Sequence, residues 1–268
     1  MMCGVQGTML VKSQNRDDYQ DVPRQIGAMA RTFPASYLND WHAHPRVQLA
    51  YANSGSMEIR THRGVWIISP QRAFWIPPGV EHQMRTHGIV QLHTLYIHPQ
   101  HLCPSLPQQE AVIGVSPLLR ELLLRATELP IEYDESGVEG KVMDLIMAEL
   151  QWQDVMPLSL PVVQDARLQR LQQEICAEFG DQRSMQEWAA ALHMSPKTLY
   201  RLVMKETGTR FNDWRQSLLI YQALPRLLRG EKITTVALDL GYSSAAGFTR
   251  MFKRVMGVTP SDYVNPKV

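Results

Sequence analysis

Apolar and polar positions change rhythm twice along the chain. Between residues 24 and 100 the apolar residues fall in short β-rich runs, Val47–Ala52, Met57–Thr61, Val65–Ile68, Ala73–Ile76 and Val90–His98, parted by Gly, Pro and Ser. Such runs predict strands, and Thr61-His62-Arg63-Gly64 between two of them predicts a hairpin turn. Many short strands with no helix among them predict a sandwich or a barrel. From residue 117 the period becomes helical. Leu118, Leu119, Leu122 and Leu123 stripe one segment, and Val142, Leu145, Ile146 and Leu150 stripe another, which predicts helices at 117–128 and 138–152. Pro157 and Pro161 then break the pattern and predict a linker.

Beyond the linker one pattern occurs twice. The first copy runs from Ser184 to Gly208 and the second from Thr234 to Gly257; Ala189 answers Ala237, Leu192 answers Leu240, Ser195 answers Ser243, and Arg201 answers Arg250 with one residue inserted. Each copy reads as a short helix, a tight turn and a second helix. In the first, Ser184 followed by Glu187 is a capping box, and Trp188, Ala189 and Leu192 form an apolar face. His193 falls in the turn, where a positive φ is expected and histidine is tolerated less well than glycine. Ser195 caps the next helix and Pro196 occupies its first position, where the missing N–H has no consequence. Leu199, Leu202 and Val203 face inward, leaving Lys197, Tyr200, Arg201 and Lys205 on the outer face.

Arginine reads a guanine edge with two hydrogen bonds, lysine contacts phosphate or guanine, and a helix fits the major groove. A charged face on one helix usually means only solvation; its placement on a duplicated helix-turn-helix favours DNA. The second copy offers Ser244, Thr249, Arg250 and Lys253, with Arg250 as its main base reader and the others better suited to backbone contacts. Gly241 fits its turn, and Phe248, Met251, Phe252 and Val255 hold the helix down.

Over residues 165–264 the chain resembles the AraC/XylS family of bacterial transcription regulators, through Ala189, Ser195, Leu199, Arg201, Gly208, Phe211, Ala223, Ala237, Gly241, Phe248, Phe252 and the closing Gly257-Val258-Thr259-Pro260-Ser261-Asp262-Tyr263. Three positions depart from the family pattern. Leu219 stands where the connecting helix usually has arginine, and Pro225 predicts a kink or an early end to that helix. Gly247 weakens the second recognition helix by about 0.5–1 kcal/mol relative to alanine. The resemblance implies a dimer that lays two recognition helices per chain into successive major grooves, about 34 Å apart. It also implies RNA polymerase as a further partner, and control of neighbouring efflux or metabolic genes.

The total formal charge is +1, unevenly divided: residues 1–161 carry 12 Lys and Arg against 16 Asp and Glu, and residues 162–268 carry 15 against 10. A basic C-terminal part behind an acidic N-terminal part fits a nucleic-acid module fused to another domain. Cys3, Cys103 and Cys176 lack CxxC spacing, which argues against a zinc knuckle or a disulfide framework. Without an apolar leader or a run of about 20 apolar residues, a cytoplasmic protein with no membrane partner is expected.

Eight of the nine histidines precede residue 102. Trp41-His42-Ala43-His44, with Gln48 four residues on, and the later Pro77-Pro78-Gly79-Val80-Glu81-His82 are similar to the two cupin motifs, in which His-x-His, a glutamate and a later histidine hold a metal inside a β-barrel. Gln48 replaces the glutamate, which removes charge from the donor set. The resemblance then implies an effector pocket without cofactor, lined by Trp41, His42, His44, Gln48, Tyr51, Trp75 and His82. A divalent metal on His42, His44 and His82 is the alternative.

The expected architecture is a two-domain α+β chain. It comprises a flexible N-terminus (1–23), a cupin-like β-barrel sensor (24–110), a helical dimerisation segment (111–153), a linker (154–164) and an all-α DNA-binding domain (165–264) with helix-turn-helix motifs at about 184–205 and 232–255. The expected function is sequence-specific transcriptional regulation by a small-molecule effector, without enzymatic activity, as a homodimer on double-stranded operator DNA. Two other classes compete. A metal-dependent cupin enzyme tethered to DNA is disfavoured by Gln48, and a DNA-organising protein without signal input would show no ligand-induced melting shift.

Overall fold

The computed structural model describes residues 12–264 apart from 69, 71, 103, 105, 151–158, 179 and 257. The chain begins with strands β1 (Ile26–Phe33), β2 (Leu38–His42), β3 (Val47–Thr61), β4 (Gly64–Ile68), β5 (Arg72–Ile76), β6 (His82–Ile97) and β7 (Ala111–Gly114). Helices α1 (Pro117–Glu128) and α2 (Val138–Glu149) follow, then β8 (Ser159–Pro161). The C-terminal domain is helical: α3 (Ala166–Ala177), α4 (Met185–Ala191), α5 (Pro196–Thr207), α6 (Phe211–Leu228), α7 (Ile233–Asp239), α8 (Ala245–Met256) and α9 (Pro260–Val264).

Two long strands organise the barrel. β3 and β6 pair antiparallel from Val47↔Ile97 to Thr61↔His82, and each bends midway so that its halves take different outer neighbours. The first half of β3 pairs β5 and its second half pairs β4; β6 pairs β2 early and β1 late. The bend is built from register shifts between Ala52 and Ser56 and from Gly55 at φ +73°. A Cβ on Gly55 would meet the Ile89 carbonyl carbon and Val90 Cγ2 at 3.0 Å, so the close strand approach requires glycine.

Both faces of these strands are covered. Ala50, Ile59, Ile76, Met84 and Leu92 fill the barrel interior. Leu49, Tyr51, Trp75 and Leu95 face the other way, under Leu119 and Leu123 of α1 and Met143 and Ile146 of α2. Burial on both sides explains why the strands read as continuous apolar runs.

The helical domain has two clusters joined by α6. Leu168, Leu171, Trp188, Leu199, Val203, Trp214 and Leu218 form the first, and Ala223, Leu224, Val236, Ala237, Phe248, Phe252 and Tyr263 belong to the second. Each receives one residue from the barrel side: Leu160 of β8 enters the first and Ile67 of β4 enters the second.

Several sequence expectations are corrected here. Within the 1–23 segment, residues 1–11 lie outside the described residues, but 12–23 pack on the barrel. Tyr19 is buried, and Arg46 donates to the carbonyls of Gln20, Val22 and Arg24 at 2.7, 2.5 and 2.9 Å. The supposed start of the helical segment is β7, which pairs β5 from Arg72↔Gly114 to Trp75↔Ala111. The linker lies partly outside the described residues, as does the end of the 138–152 helix; its remainder includes β8, paired with β4 because Leu160 has an apolar site to fill. Pro225 lies inside α6, which continues to Leu228, and Leu219 is buried in the second cluster.

Candidate DNA interface and effector cavity

Both helix-turn-helix turns close in the same way. His193 N–H donates to Ala190 O and Met194 N–H to Ala189 O, at 3.0 and 2.9 Å; Gly241 and Tyr242 donate to Leu238 O and Ala237 O, both at 2.9 Å. These are paired 5→2 and 6→1 bonds of a Schellman end, which puts the next residue after the helix in the left-handed region. His193 has φ 52° and Gly241 φ 81°. Ser184 and Glu187 form the capping box of α4, and Ser195 Oγ accepts from Thr198 N–H at the start of α5. In the second copy Ser244 Oγ accepts from Gly247 N–H at 3.2 Å. Ser195 therefore answers Ser244, not Ser243, and the inserted residue lies in the turn.

With Leu199 and Val203 fully buried, Lys197, Tyr200, Arg201 and Lys205 share the exposed face of α5. No side-chain hydrogen bond or ion pair engages Lys197, Arg201 or Lys205 among the described residues. Arg167 of α3 borders the same cleft as Tyr200 and Arg201, held by Asp165 at 2.7 Å. It lies outside the repeated pattern, so no sequence signal marked it. On α8, Arg250 and Lys253 are exposed and Thr249 is half-buried. Ser244 is first of all a cap, which leaves its O–H as the donor available to a phosphate.

The barrel interior holds a cavity of about 220 Å³, lined among others by His42, Gln48, His82 and Tyr96 and closed by Gln14–Asp17 of the leading segment. β2–β6 pairing sets His42 opposite His82. Their ring centroids are 4.2 Å apart, and His44 lies 4.9 Å from His82 and 5.5 Å from His42. Burial, then the neighbouring His42, pushes the His44 pKa down to about 4 and the His82 pKa down to about 3; burial also lowers that of His42. All three are neutral imidazoles near neutral pH.

Of the expected pocket residues, His44 packs behind His82 without lining the cavity, and three lie elsewhere. Tyr51 and Trp75 point out of the barrel beneath α1 and α2, with Trp75 Nε1 donating to Pro107 O at 3.1 Å. Successive strand residues alternate faces, so Tyr51, three positions from Gln48, must oppose it. Trp41 stacks on His62 at 5.2 Å and lines a separate cavity of about 580 Å³ between the barrel and the helical domain. The sequence missed Arg16 and Arg31, which line the barrel cavity. Arg16 comes from the leading segment, where buried Tyr19 was the available sign of packing.

The domains also meet at a buried carboxylate. Glu58 of β3 accepts from Tyr221 Oη of α6 at 2.6 Å and from Arg60 at 2.9 Å, with His87 Nε2 at 3.5 Å. Burial alone would raise its pKa, but the contacts with His87, Tyr221 and Arg60 outweigh burial and hold it at about 2.

Residues 29–130 match an AraC-like ligand binding domain and residues 188–265 a helix-turn-helix domain. The HTH-type transcriptional regulator NimR of Escherichia coli (strain K12) is 31% identical over 223 residues, covering 83% of this chain and 81% of that protein. The chain belongs to the AraC family of HTH-type transcriptional regulators. Another relative, the HTH-type regulator YobQ of Bacillus subtilis (strain 168), is 23% identical over 247 residues, 91% of this chain and 96% of its own. Fatty-acid-bound ToxT from Vibrio cholerae strain SCE256 aligns over 89% of this chain and 94% of that one at 14% identity, with a TM-score of 0.36. As an AraC-family regulator the protein pairs a DNA-binding helical domain with a ligand-binding barrel. No helix among the described residues is long and apolar enough to cross a membrane.

Proposed function

We propose that this regulator reads its operator chiefly through α5 and controls transcription by occupancy of the barrel cavity, without enzymatic activity and in the cytoplasm. The carrying observation is the exposed row of Lys197, Arg201 and Lys205, unengaged among the described residues, on a helix whose other face is fixed in the core. Such a helix fits the major groove with Arg201 at a base edge and the lysines toward phosphate. α8 contributes Arg250 and Lys253 to the adjoining groove. Leu118 and Leu145 stay exposed on α1 and α2 although the helices bury their other faces on the barrel, which supports these helices as the dimer contact. A ligand in the cavity acts by favouring one attitude of the helical domain. β4 is the route: Trp66 and Ile68 pack inside the barrel, while Ile67 packs among the helices of the second helix-turn-helix.

Mapping the chain's binding sites across its genome tests this reading. Discrete sites sharing a repeated element upstream of a few genes, with RNA polymerase recruitment changed there, are the expected result. Uniform coverage without a shared element would sink it in favour of a DNA-organising protein. The genes beside those sites, efflux or metabolic, then indicate the effector.

A further inference from the structure

The cavity of about 580 Å³ at the domain junction is built by both domains and differs in kind from the barrel cavity. Trp41 and Val65 of the barrel contribute one wall, and Gln169, Gln172 and Gln173 of α3 contribute another, with Tyr221 of α6 beside them. Because α3 buries Leu168, Leu171 and Ile175 in the helical core, the i, i+3, i+4 row of glutamines falls on the face turned to the cavity. Small-molecule sites commonly have volumes of about 300–1,000 Å³ and favour domain junctions. The barrel cavity, at about 220 Å³, falls below that range.

Charge does not select the occupant. No carboxylate is among the described lining residues, Arg60 pairs with Glu58 at 2.9 Å, and His62 Nε2 lies 2.9 Å from Glu81. Two features do select. Gln172 Oε1 is buried with no hydrogen-bond partner among the described residues, which is unfavourable until a donor reaches it. Gln169, by contrast, is engaged, its Nε2 donating to Val163 O at 2.9 Å. Trp41 and Val162 line the same cavity and stay 42% and 40% exposed, which leaves apolar surface in contact with water. The Trp41 indole stacks on His62 at an interplanar angle of 9°, making a flat aromatic wall.

Independently of the barrel-cavity reading, we propose that the junction cavity is a second ligand site, for an uncharged, flat aromatic molecule carrying a lactam or carboxamide. Its N–H donates to Gln172 Oε1, and its carbonyl accepts from a cavity amide, because a glutamine carboxamide offers donor and acceptor side by side. Its ring covers the open apolar surface of Trp41 and Val162. A charged ligand would leave water for a site that holds no unpaired opposite charge, which disfavours it. Since the walls come from both domains, occupancy favours the docked attitude of barrel and helices and so bears on how α5 and α8 are presented to DNA.

The test titrates full-length protein with 2-quinolinone, whose ring N–H and carbonyl lie side by side, and with 1-methyl-2-quinolinone, which lacks the donor. Calorimetry and thermal melts are the readouts. Expected are one equivalent of 2-quinolinone bound, a raised melting temperature, and affinity at least about tenfold weaker for the methylated compound. Gln172→Leu should weaken 2-quinolinone at least about tenfold and Trp41→Ala about fivefold. Gln172 is half-buried and Trp41 exposed, so both variants should keep their fold, which circular dichroism checks. No binding of 2-quinolinone, or equal affinity for the two compounds, overturns the ligand class and leaves Gln172 to bound water. Binding unchanged in both variants puts the compound elsewhere and overturns the site. Operator affinity should differ severalfold with and without saturating 2-quinolinone; indifference overturns the coupling. Failure to bind any DNA would count against the regulator reading and leaves the calorimetry standing.

Discussion

The hydroxyl of Tyr221 donates to Glu58 Oε2 at 2.6 Å across 163 positions of sequence, tying the connecting helix of the DNA-binding domain to the central strand of the barrel. Glu58 is 6% exposed, so the bond operates away from bulk water, where a lost partner is felt most. Tyr221→Phe should destabilise the chain by about 1–3 kcal/mol, since a buried carboxylate loses a donor. Urea unfolding checks it, and separation of one transition into two would show that the bond couples the domains.

The same carboxylate predicts a pH dependence. Its folded pKa of about 2 lies below the ordinary 4.5, so its stabilising contribution is complete above about 4.5 and disappears as pH falls from there toward 2. In that window the unfolded chain binds the proton and the folded chain does not, so stability rises with pH. Glu58→Gln should flatten this acid limb. A variant whose stability falls as steeply as the parent's between pH 4.5 and 2 would assign the acid sensitivity to other groups.

His193 and Gly241 occupy the same position of two turns, and substitutions there should behave oppositely. His193→Gly relieves a left-handed histidine while loosening the unfolded chain, so its net effect on stability should stay within about 1 kcal/mol. Gly241→Ala places a Cβ 2.8 Å from both Gly180 Cα and Gly180 O, at φ 81°. A loss of at least about 1–3 kcal/mol follows, because the strain and the backbone clash act together. Thermal melts of the two variants decide the matter; similar melting temperatures would contradict the shared geometry.

The helical half was legible because its signals are local. Ser184-x-x-Glu187, Ser195-Pro196 and the left-handed turn residues each fix a helix end within a few positions, and the structure has caps at all three places. The barrel was less legible because its long strands are held by distant partners. β3 reads as two strands on account of polar Asn53-Ser54-Gly55-Ser56, yet pairing with β6 carries it through the bend. The first half of β6 was missed for its polar residues, although His82, Met84 and Thr86 are buried alternately with exposed or half-exposed neighbours, the period of a strand. Tyr51 and Trp75 were placed in the pocket by their aromatic character; their parity relative to Gln48 and Ile76 gave the opposite face. The convergence of His42, His44 and His82 came through motif spacing, but the burial of His44 Nε2 without a hydrogen-bond partner needs coordinates.

The division of the chain can be tested by cutting it. Residues 162–268 contain nearly all of both helical clusters, so this fragment should fold and bind DNA. Without Leu160 and Ile67 it loses one apolar side chain from each cluster, and each such burial contributes about 1.5–3 kcal/mol. The fragment should therefore melt below the intact protein and gain stability when extended to include Leu160. Operator affinity should fall as well if α1 and α2 pair two chains, because linkage raises effective concentration. A fragment without helical circular dichroism would show that the helical domain depends on the barrel for its fold.

Arg201 and the lysines beside it should separate base reading from backbone attraction. Arg201 projects from the exposed face of α5 with no partner among the described residues, so its planar guanidinium is available for two hydrogen bonds to a guanine edge. Arg201→Ala should weaken operator binding by about 1–3 kcal/mol and binding to random duplex much less. Lys205→Ala and Lys253→Ala remove charges suited to phosphate. Each should weaken both DNAs alike and reduce the slope of log K against log salt by about one. Titrations of operator and random duplex at several salt concentrations, for all three variants, supply both quantities. Equal losses on the two DNAs for Arg201→Ala would move that side chain to the backbone and leave Arg250 of α8 as the principal base reader.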